Sequence, residues 1–386
     1  SPGMAAGVLV PGNSVFQRSG TYNITSVTAN VSGGVVSPQV NNYTWQGYGA
    51  TRGDNGTSPV FLASGISTVT LFTLFGSQIY VTNLAFNGAN LAGMIGMLFE
   101  YTCNYSTMAF RCVAYNCISG FYCRLNYLAL LTQCESYANT NGVKAENNSF
   151  ALMVRSCYIH GNSIGVRADN QGAIGLHHCL IVNNTSHGYS FGYQSRAPAM
   201  FACTLSGNGG YGVSADFGTQ NALVFENCIF YGNTSGSIGG PVGGVIRNCA
   251  NGTGFAGSVE GAITLTASPF VNAAGGDFRL NNVAGGGALC RGAGYAPALP
   301  ALTAVNAQDL GVYQHATPAL ALAVNATGAN PVLTWDADSR AVTGYVISRG
   351  TTATNKADIA TVALATTTYT DTAVTSGTFF YGVASY

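Results

Sequence analysis

Seven cysteines recur between residues 112 and 249, at Cys112, Cys134, Cys157, Cys179, Cys203, Cys228 and Cys249, with gaps of 22, 23, 22, 24, 25 and 21 residues. A period in the twenties is the signature of stacked repeats, each too small to bury its apolar face alone. Other residue types keep the same period. Asn139, Asn162, Asn184, Asn208 and Asn233 each follow a cysteine by five residues, and Gly120, Gly142, Gly165, Gly188 and Gly212 follow by eight or nine. Three residues before the cysteine the column reads Ala109, Leu131, Val154, Leu176, Met200, Phe225, Ile246; two residues after it reads Ala114, Ser136, Ile159, Ile181, Leu205, Phe230. Both columns suit side chains that point into a common core.

After each glycine the pattern alternates, as in Gly142-Val143-Lys144-Ala145-Glu146 and Gly165-Val166-Arg167-Ala168-Asp169. A period of two means strand. Asn, Gly and Ser punctuate the rest of each repeat as turns, and no stretch holds a helical period. About 23 residues accommodate three short strands and three turns, one coil of a right-handed parallel β-helix. Corresponding positions then stack about 4.8 Å apart. The asparagine column becomes a ladder, each amide donating to one coil and accepting from the next.

The same stacking argues against a disulfide framework, although the chain has eleven cysteines. Stacked residues have parallel Cβ vectors about 4.8 Å apart, whereas a disulfide wants facing Cβ atoms near 3.8 Å. The column reads as buried thiols in small core slots. Cys103, Cys117, Cys123 and Cys290 lie off it, and their pairing is left open. No CxxC or Cys/His cluster has metal-ligand spacing, so neither metal nor cofactor is expected.

Charged residues make up only 7% of the chain, and Lys plus Arg equals Asp plus Glu at 14 each. A neutral, charge-poor chain lacks the basic footprint of nucleic-acid binding or of a membrane-surface patch. No run of 18 apolar residues is present, so no helical membrane span is expected. Low charge with abundant Thr, Ser, Asn, Tyr and Gly fits an extracellular protein, secreted or on a cell or virion surface.

The opening stretches SGTYNITSVTANVSG, YTWQGYGATRGDNGTSPVF and VTNLAFNGA resemble the first coils of bacterial secreted right-handed β-helix proteins of the pectate-lyase-like superfamily. Later, ENCIFYGN, SPFVNAAGGDFRL and AQDLGVYQ resemble the closing part of the choice-of-anchor surface subset. Where that subset carries a SPAIDAG segment, this chain has Asn282-Val283-Ala284-Gly285-Gly286-Gly287-Ala288-Leu289-Cys290. These motifs are structural, so the resemblance implies a fold more than an activity. Residues 1–20 are expected as an N-terminal extension and cap, and 21–315 as a β-helix of about 12 coils, roughly 60 Å long.

Beyond residue 315 the cysteines and the period vanish. Residues 319–326, 331–336, 343–349, 367–371 and 378–386 read as strands of an all-β sandwich. The segment 316–386 resembles a fibronectin type III domain, which implies a core tryptophan at Trp335, an inward tyrosine at Tyr345 and a corner tyrosine at Tyr381. The readable strands are expected to end at strand F, with strand G absent. Three explanations stand: the polypeptide continues, a neighbouring copy supplies the strand, or the sandwich is misread. Val8, Leu9 and Val10, in an apolar segment outside the repeat, are the candidate donor strand. Donation between copies would make a head-to-tail filament.

Catalysis would need outward residues in register. The candidates are Lys144, Arg167, Glu146 and Asp169, beside Tyr122, Arg124, Ser190, Ser214 and Asp216. A lyase acting on an acidic glycan needs a Lys or Arg base and carboxylates that gather a cation; a glycosidase needs two carboxylates about 5–10 Å apart. The plain alternative is a set of surface ion pairs between coils. His177 and His178 flank Cys179 without a Ser or Asp arrangement. The tripeptide Arg52-Gly53-Asp54 matches a cell-adhesion motif, but Gly, Asp and Asn there are also what a turn requires. Possible N-glycosylation sequons lie at Asn23, Asn30, Asn42, Asn55, Asn104, Asn147, Asn183, Asn184, Asn233, Asn251 and Asn325. The expectation is an extracellular structural or adhesive protein whose partners are copies of itself or surface glycans. The alternative is a secreted polysaccharide lyase or hydrolase.

Overall fold

The structure is a computed structural model; it describes residues 14–25, 34–36, 41–52, 54, 56–100, 107–125, 128–147, 151–192, 195, 199–215, 222–240, 243–255, 259–294, 309–313, 322–325, 330–335, 344–352, 356–363, 366–374 and 377–385. Among these the chain divides into two compact units, residues 1–265 with 292–313, and residues 266–291 with 314–386.

The first unit is a parallel β-helix. One coil runs through the strands Ala129–Thr132, Glu135–Tyr137 and Asn141–Glu146, and the next through Leu152–Arg155, Tyr158–His160 and Ile164–Ala168. Each strand pairs in parallel with its counterpart one coil away, as in Leu131↔Val154, Ser136↔Ile159 and Val143↔Val166. Among the described residues the first two sheets have eleven strands each and the third has nine, slightly fewer rungs than the twelve coils expected. The ladder opens at Ser14–Arg18, inside the stretch expected as a cap, and its last rungs are Val259–Glu260 and Ile263–Thr264.

Both columns expected to face inward do so: Ala109, Leu131, Val154, Leu176, Met200, Phe225 and Ile246, with Ala114, Ser136, Ile159, Ile181, Leu205 and Phe230, are all buried. The cysteines lie at the corner between the first two sheets. Ten cysteines, the seven of the column with Cys117, Cys123 and Cys290, are free and buried; Cys103 lies outside the described residues. The Cys134 and Cys179 thiols point at Ala109 O and Val154 O of the preceding coil, at 3.4 and 3.3 Å. Burial pushes the Cys112, Cys157 and Cys228 thiols up, and that of Cys117 up to about 12. All ten are shut away from solvent, so they should resist a thiol reagent such as DTNB in the native protein and react once it is unfolded in guanidinium. Rapid native labelling of any of them, mapped by mass spectrometry, would contradict the packing.

The residue just before each ladder cysteine turns the corner in the left-handed region: Arg111, Gln133, Ser156, His178, Ala202, Asn227 and Asn248 have φ of 47–57°. That conformation costs a non-glycine residue about 1 kcal/mol. It is offset because the turn amides stack as well, Gln133 N donating to Arg155 O and Ser156 N to His177 O at 3.0 and 2.9 Å.

The asparagine ladder forms at the next corner. Asn139 Nδ2 donates to Asn162 Oδ1, Asn162 to Asn184, Asn184 to Asn208 and Asn208 to Asn233, at 3.0, 3.1, 2.9 and 2.8 Å. Each Oδ1 also accepts the backbone N–H of the residue one coil earlier. The series begins at Cys117, whose N–H donates to Asn139 Oδ1 at 2.9 Å. Cys117 therefore occupies the ladder position of its own coil. The glycine column follows from this crowding: a Cβ on Gly142 would lie 2.6 Å from Gly165 O and 2.8 Å from Asn162 Nδ2.

Residues 309–313 lie against the outer face of the second sheet. Leu310 is fully buried, Gly311 N donates to Asn227 O at 2.7 Å, and Val312 N donates to Thr204 Oγ1 at 3.1 Å. A Cβ on Gly311 would meet Thr204 Oγ1 at 2.6 Å and Ile229 at 2.8 Å, so only glycine passes there.

The second unit contains the hairpin Phe270–Asn272/Asp277–Leu280, a helical turn Gly287–Cys290 and two three-stranded antiparallel sheets. One sheet joins Leu322–Asn325, Val332–Trp335 and Thr368–Thr370; the other joins Ala357–Ala363, Gly344–Gly350 and Phe380–Ser385. They meet through Leu333, Trp335, Tyr345 and Ile347, with the Trp335 and Tyr345 rings edge-on at 5.5 Å. Two small sheets over an apolar core are consistent with a sandwich. The strand Ala357–Ala363 went unread in the sequence, where its Ala-Asp-Ile-Ala-Thr-Val-Ala run alternates only weakly. Tyr381 donates its hydroxyl to Asp371 Oδ2 at 2.9 Å, and Arg349 Nη1 donates to the same carboxylate at 2.7 Å.

Candidate functional site

The strands that follow the glycine column present their alternate residues outward on the third sheet. Pairing puts Tyr122, Lys144, Arg167, Ser190 and Ser214 in one column, and Arg124 beside Glu146 in the next. All four candidate residues are thus brought onto two adjacent coils. Asp216 lies outside the described residues.

The charges of this patch pair both along a coil and between coils. Lys144 Nζ reaches Glu146 Oε2 at 2.7 Å along its own strand, and Arg167 Nε reaches Asp169 Oδ2 at 2.6 Å just past the end of its strand. Residues i and i+2 share a face, and short strands let the longer cation lean onto the carboxylate. Between coils the links are Tyr122, which donates its hydroxyl to Glu146, and Arg124, which pairs with the buried Glu100. Lys144 Nζ also sits 5.1 Å from the centre of the Tyr122 ring. Gly192 leaves room for Asp169, whose Oδ1 would be 2.8 Å from a Cβ there.

Lys144, Glu146, Arg167 and Asp169 are half-buried, and that sets their electrostatics. Burial lowers the pKa of Lys144, with Asp169 opposing and Arg167 adding to the effect. Burial also raises the pKa of Glu146, with Asp169 adding and Arg167 opposing. Each carboxylate of the set has a cation in contact. Among the described residues, no group of three or more His, Cys, Asp or Glu is placed to hold a metal ion.

The other candidates fall elsewhere. His177 stacks on Phe201 at 4.8 Å on the outside of the first sheet, and burial followed by Arg155 lowers its pKa; His178 is a corner residue. Asp54 accepts backbone N–H bonds from Gly49, Ala50, Thr51 and Gly56 at 2.7–2.9 Å, which hold its carboxyl down to about 2. Arg52 lies over the Phe16 ring at 4.3 Å. Both charged ends of the adhesion-like tripeptide are therefore engaged by their own neighbourhood. Among the sequons, Asn23, Asn42, Asn183 and Asn325 are exposed, and Asn147 and Asn233 are half-buried. Asn184 and Asn251 are corrected as glycan sites: both are buried, and the Asn184 amide is held by the ladder. Asn30, Asn55, Asn104 and the donor segment Val8, Leu9 and Val10 lie outside the described residues.

An aromatic column was missed in the sequence. Outside the second sheet, Tyr115 stacks on Tyr137 at 4.9 Å and Tyr137 on His160 at 5.4 Å. His160 Nε2 lies 3.0 Å from Glu135 Oε1. The signal was available in the residues one position beyond the inward column. The ring faces are turned toward one another along the ladder, and edges and polar tips face outward.

These features define a right-handed parallel β-helix protein with a separate C-terminal pair of antiparallel sheets. The sequence pattern of the right-handed β-helix region matches residues 98–275. The crystal structure of pectate lyase Pel9A is similar with a TM-score of 0.50 and 13% identity, covering 81% of this chain and 90% of that one. At that identity the likeness concerns the fold. No curated protein matches the sequence.

Proposed function

We propose that this is an extracellular structural or adhesive surface protein, its β-helix a stiff scaffold and its C-terminal fibronectin-like module a connector. The observation that carries this reading is the self-pairing of the charged columns. Lys144 with Glu146 and Arg167 with Asp169 close on each other at 2.7 and 2.6 Å, which favours a packed surface over a poised acid and base. The strand Phe380–Ser385 pairs on one side only among the described residues, with Gly344–Gly350, and its other edge is where an extended segment of a neighbouring copy would add. Electron microscopy of purified protein is expected to show filaments, and deletion of residues 1–10, which removes Val8, Leu9 and Val10, is expected to dissolve them. Dispersed single particles in the unaltered protein would end the filament proposal.

The second reading is cleavage of an acidic glycan by a lyase. It is favoured by the lowered pKa of Lys144 beside Arg167, because a base must be partly neutral to take a proton. Under the structural reading, Lys144→Ala/Arg167→Ala changes nothing in a screen of uronate polymers followed by absorbance of the unsaturated product. Cleavage by the unaltered protein that this variant abolishes would establish the lyase instead.

A further inference from the structure

We infer that the outer face of the first sheet carries a binding groove for a long-chain carboxylate, a hydrocarbon tail ending in a single anion. Tyr80, Met108, Leu130 and Met153 occupy one outward column on four successive rungs. They line a cavity of about 350 Å³, with Leu128 as a wall and Arg155 at the Met153 end. That volume lies in the range of small-molecule sites. Three rung spacings make the floor about 14 Å long, the reach of an extended twelve-carbon chain.

The lining chooses the chemistry. Outward residues of a solvated sheet are ordinarily polar, yet this column is apolar over four rungs, with Tyr80 and Leu128 39% and 40% exposed. A polyhydroxylated chain would leave its hydroxyls without partners on that floor. Met153 lies over Gly175, where a Cβ would come within 2.8 Å of its sulfur. A flexible thioether therefore closes that end beside Arg155 and can shift to seat the headgroup. Arg155 is exposed beside it, and among the described residues no carboxylate pairs with it, whereas Arg124, Lys144, Arg167 and Arg247 are each paired. One unpaired cation at the end of an apolar trough is complementary to one anionic headgroup.

The inference goes beyond the structural role and stands without it. The test is isothermal titration of the full chain with dodecanoate below its micellar concentration, set against dodecyltrimethylammonium, which keeps the tail and reverses the charge. Dodecanoate is expected to bind saturably with one site per chain, and the cationic amphiphile about fivefold more weakly or worse. Arg155→Glu is expected to invert that preference, and Leu130→Glu to abolish binding of dodecanoate. No saturable binding, equal binding of the two amphiphiles, or dodecanoate affinity unchanged in Arg155→Glu would each overturn the proposal. Should either variant fail to fold, the comparison of the two amphiphiles on the unaltered protein still decides.

Discussion

Replacing Asn162 by alanine is expected to lower the unfolding free energy of the β-helix by about 4 kcal/mol. Asn162 is 1% exposed and works in both directions along the ladder. Its Nδ2 donates to Ser136 O at 3.0 Å and to Asn184 Oδ1 at 3.1 Å, and its Oδ1 accepts from the N–H and Nδ2 of Asn139, each at 3.0 Å. Truncation strands these partners in a dry corner, and an orphaned buried polar group costs about 1–3 kcal/mol. Asn233→Ala is the graded comparison. Asn233 is half-buried, so water can replace part of what is lost, and about 1–2 kcal/mol is expected. Urea unfolding followed by circular dichroism reads both. A loss below about 1 kcal/mol for Asn162→Ala would mean that the ladder contributes register but little stability.

In the C-terminal sheets, Asp371→Ala is expected to cost about 3 kcal/mol, because it leaves the Arg349 cation and the Tyr381 hydroxyl facing an empty site. Asp371 is 1% exposed and also accepts the N–H of Ala373 at 3.1 Å. Burial works against its charge, but the hydrogen bonds from Tyr381, Arg349 and Ala373 together outweigh it, so its pKa lies below the ordinary carboxylate value. The sign of the pH dependence follows. A folded-state pKa below the unfolded value of about 3.9 gives stability that is complete above that value and is lost as pH falls through the folded one. The difference between the unaltered protein and Asp371→Ala is therefore expected to hold from pH 5 to 8 and to shrink below about pH 4. Hydrogen exchange of the amides in Gly344–Gly350 and Phe380–Ser385 monitors this unit directly. Tyr381→Phe, which removes one donor, is expected to cost about 1 kcal/mol.

The candidate site was legible only in part. Which residues share a face followed from alternation and period, so Lys144, Arg167, Glu146 and Asp169 could be placed on one sheet in advance. How their charges pair could not. Lys144 feels Asp169 yet touches Glu146, and side-chain reach and half-burial decide which carboxylate it touches. Burial of outward residues was equally hidden: Leu180, Val182 and Ile229 point away from the coil interior yet are covered. Asn184 and Asn233 are sequons as well as ladder members. A local motif carries no information about burial, whereas the period already placed both in the asparagine column.

In a β-helix the sequence repeat is the spatial repeat, because each rung lies directly above the one before it. The inward columns, the cysteine column and the asparagine ladder were therefore determined by the sequence alone. Identical positions a coil apart must touch, and the chain has little freedom to arrange them otherwise. What only the tertiary structure decided lies outside that rule. The left-handed corner before each cysteine is occupied by Arg, Gln, Ser, His, Ala or Asn, with no common side chain to betray it, since stacked backbone amides enforce the conformation. Cys117 takes the first ladder position because only its N–H is needed there. The segment 309–313 returns to Thr204 and Asn227, across a separation no period spans. Asp371 collects Arg349 and Tyr381 because the strands Gly344–Gly350 and Phe380–Ser385 are hydrogen-bonded neighbours, which their order in the chain did not reveal.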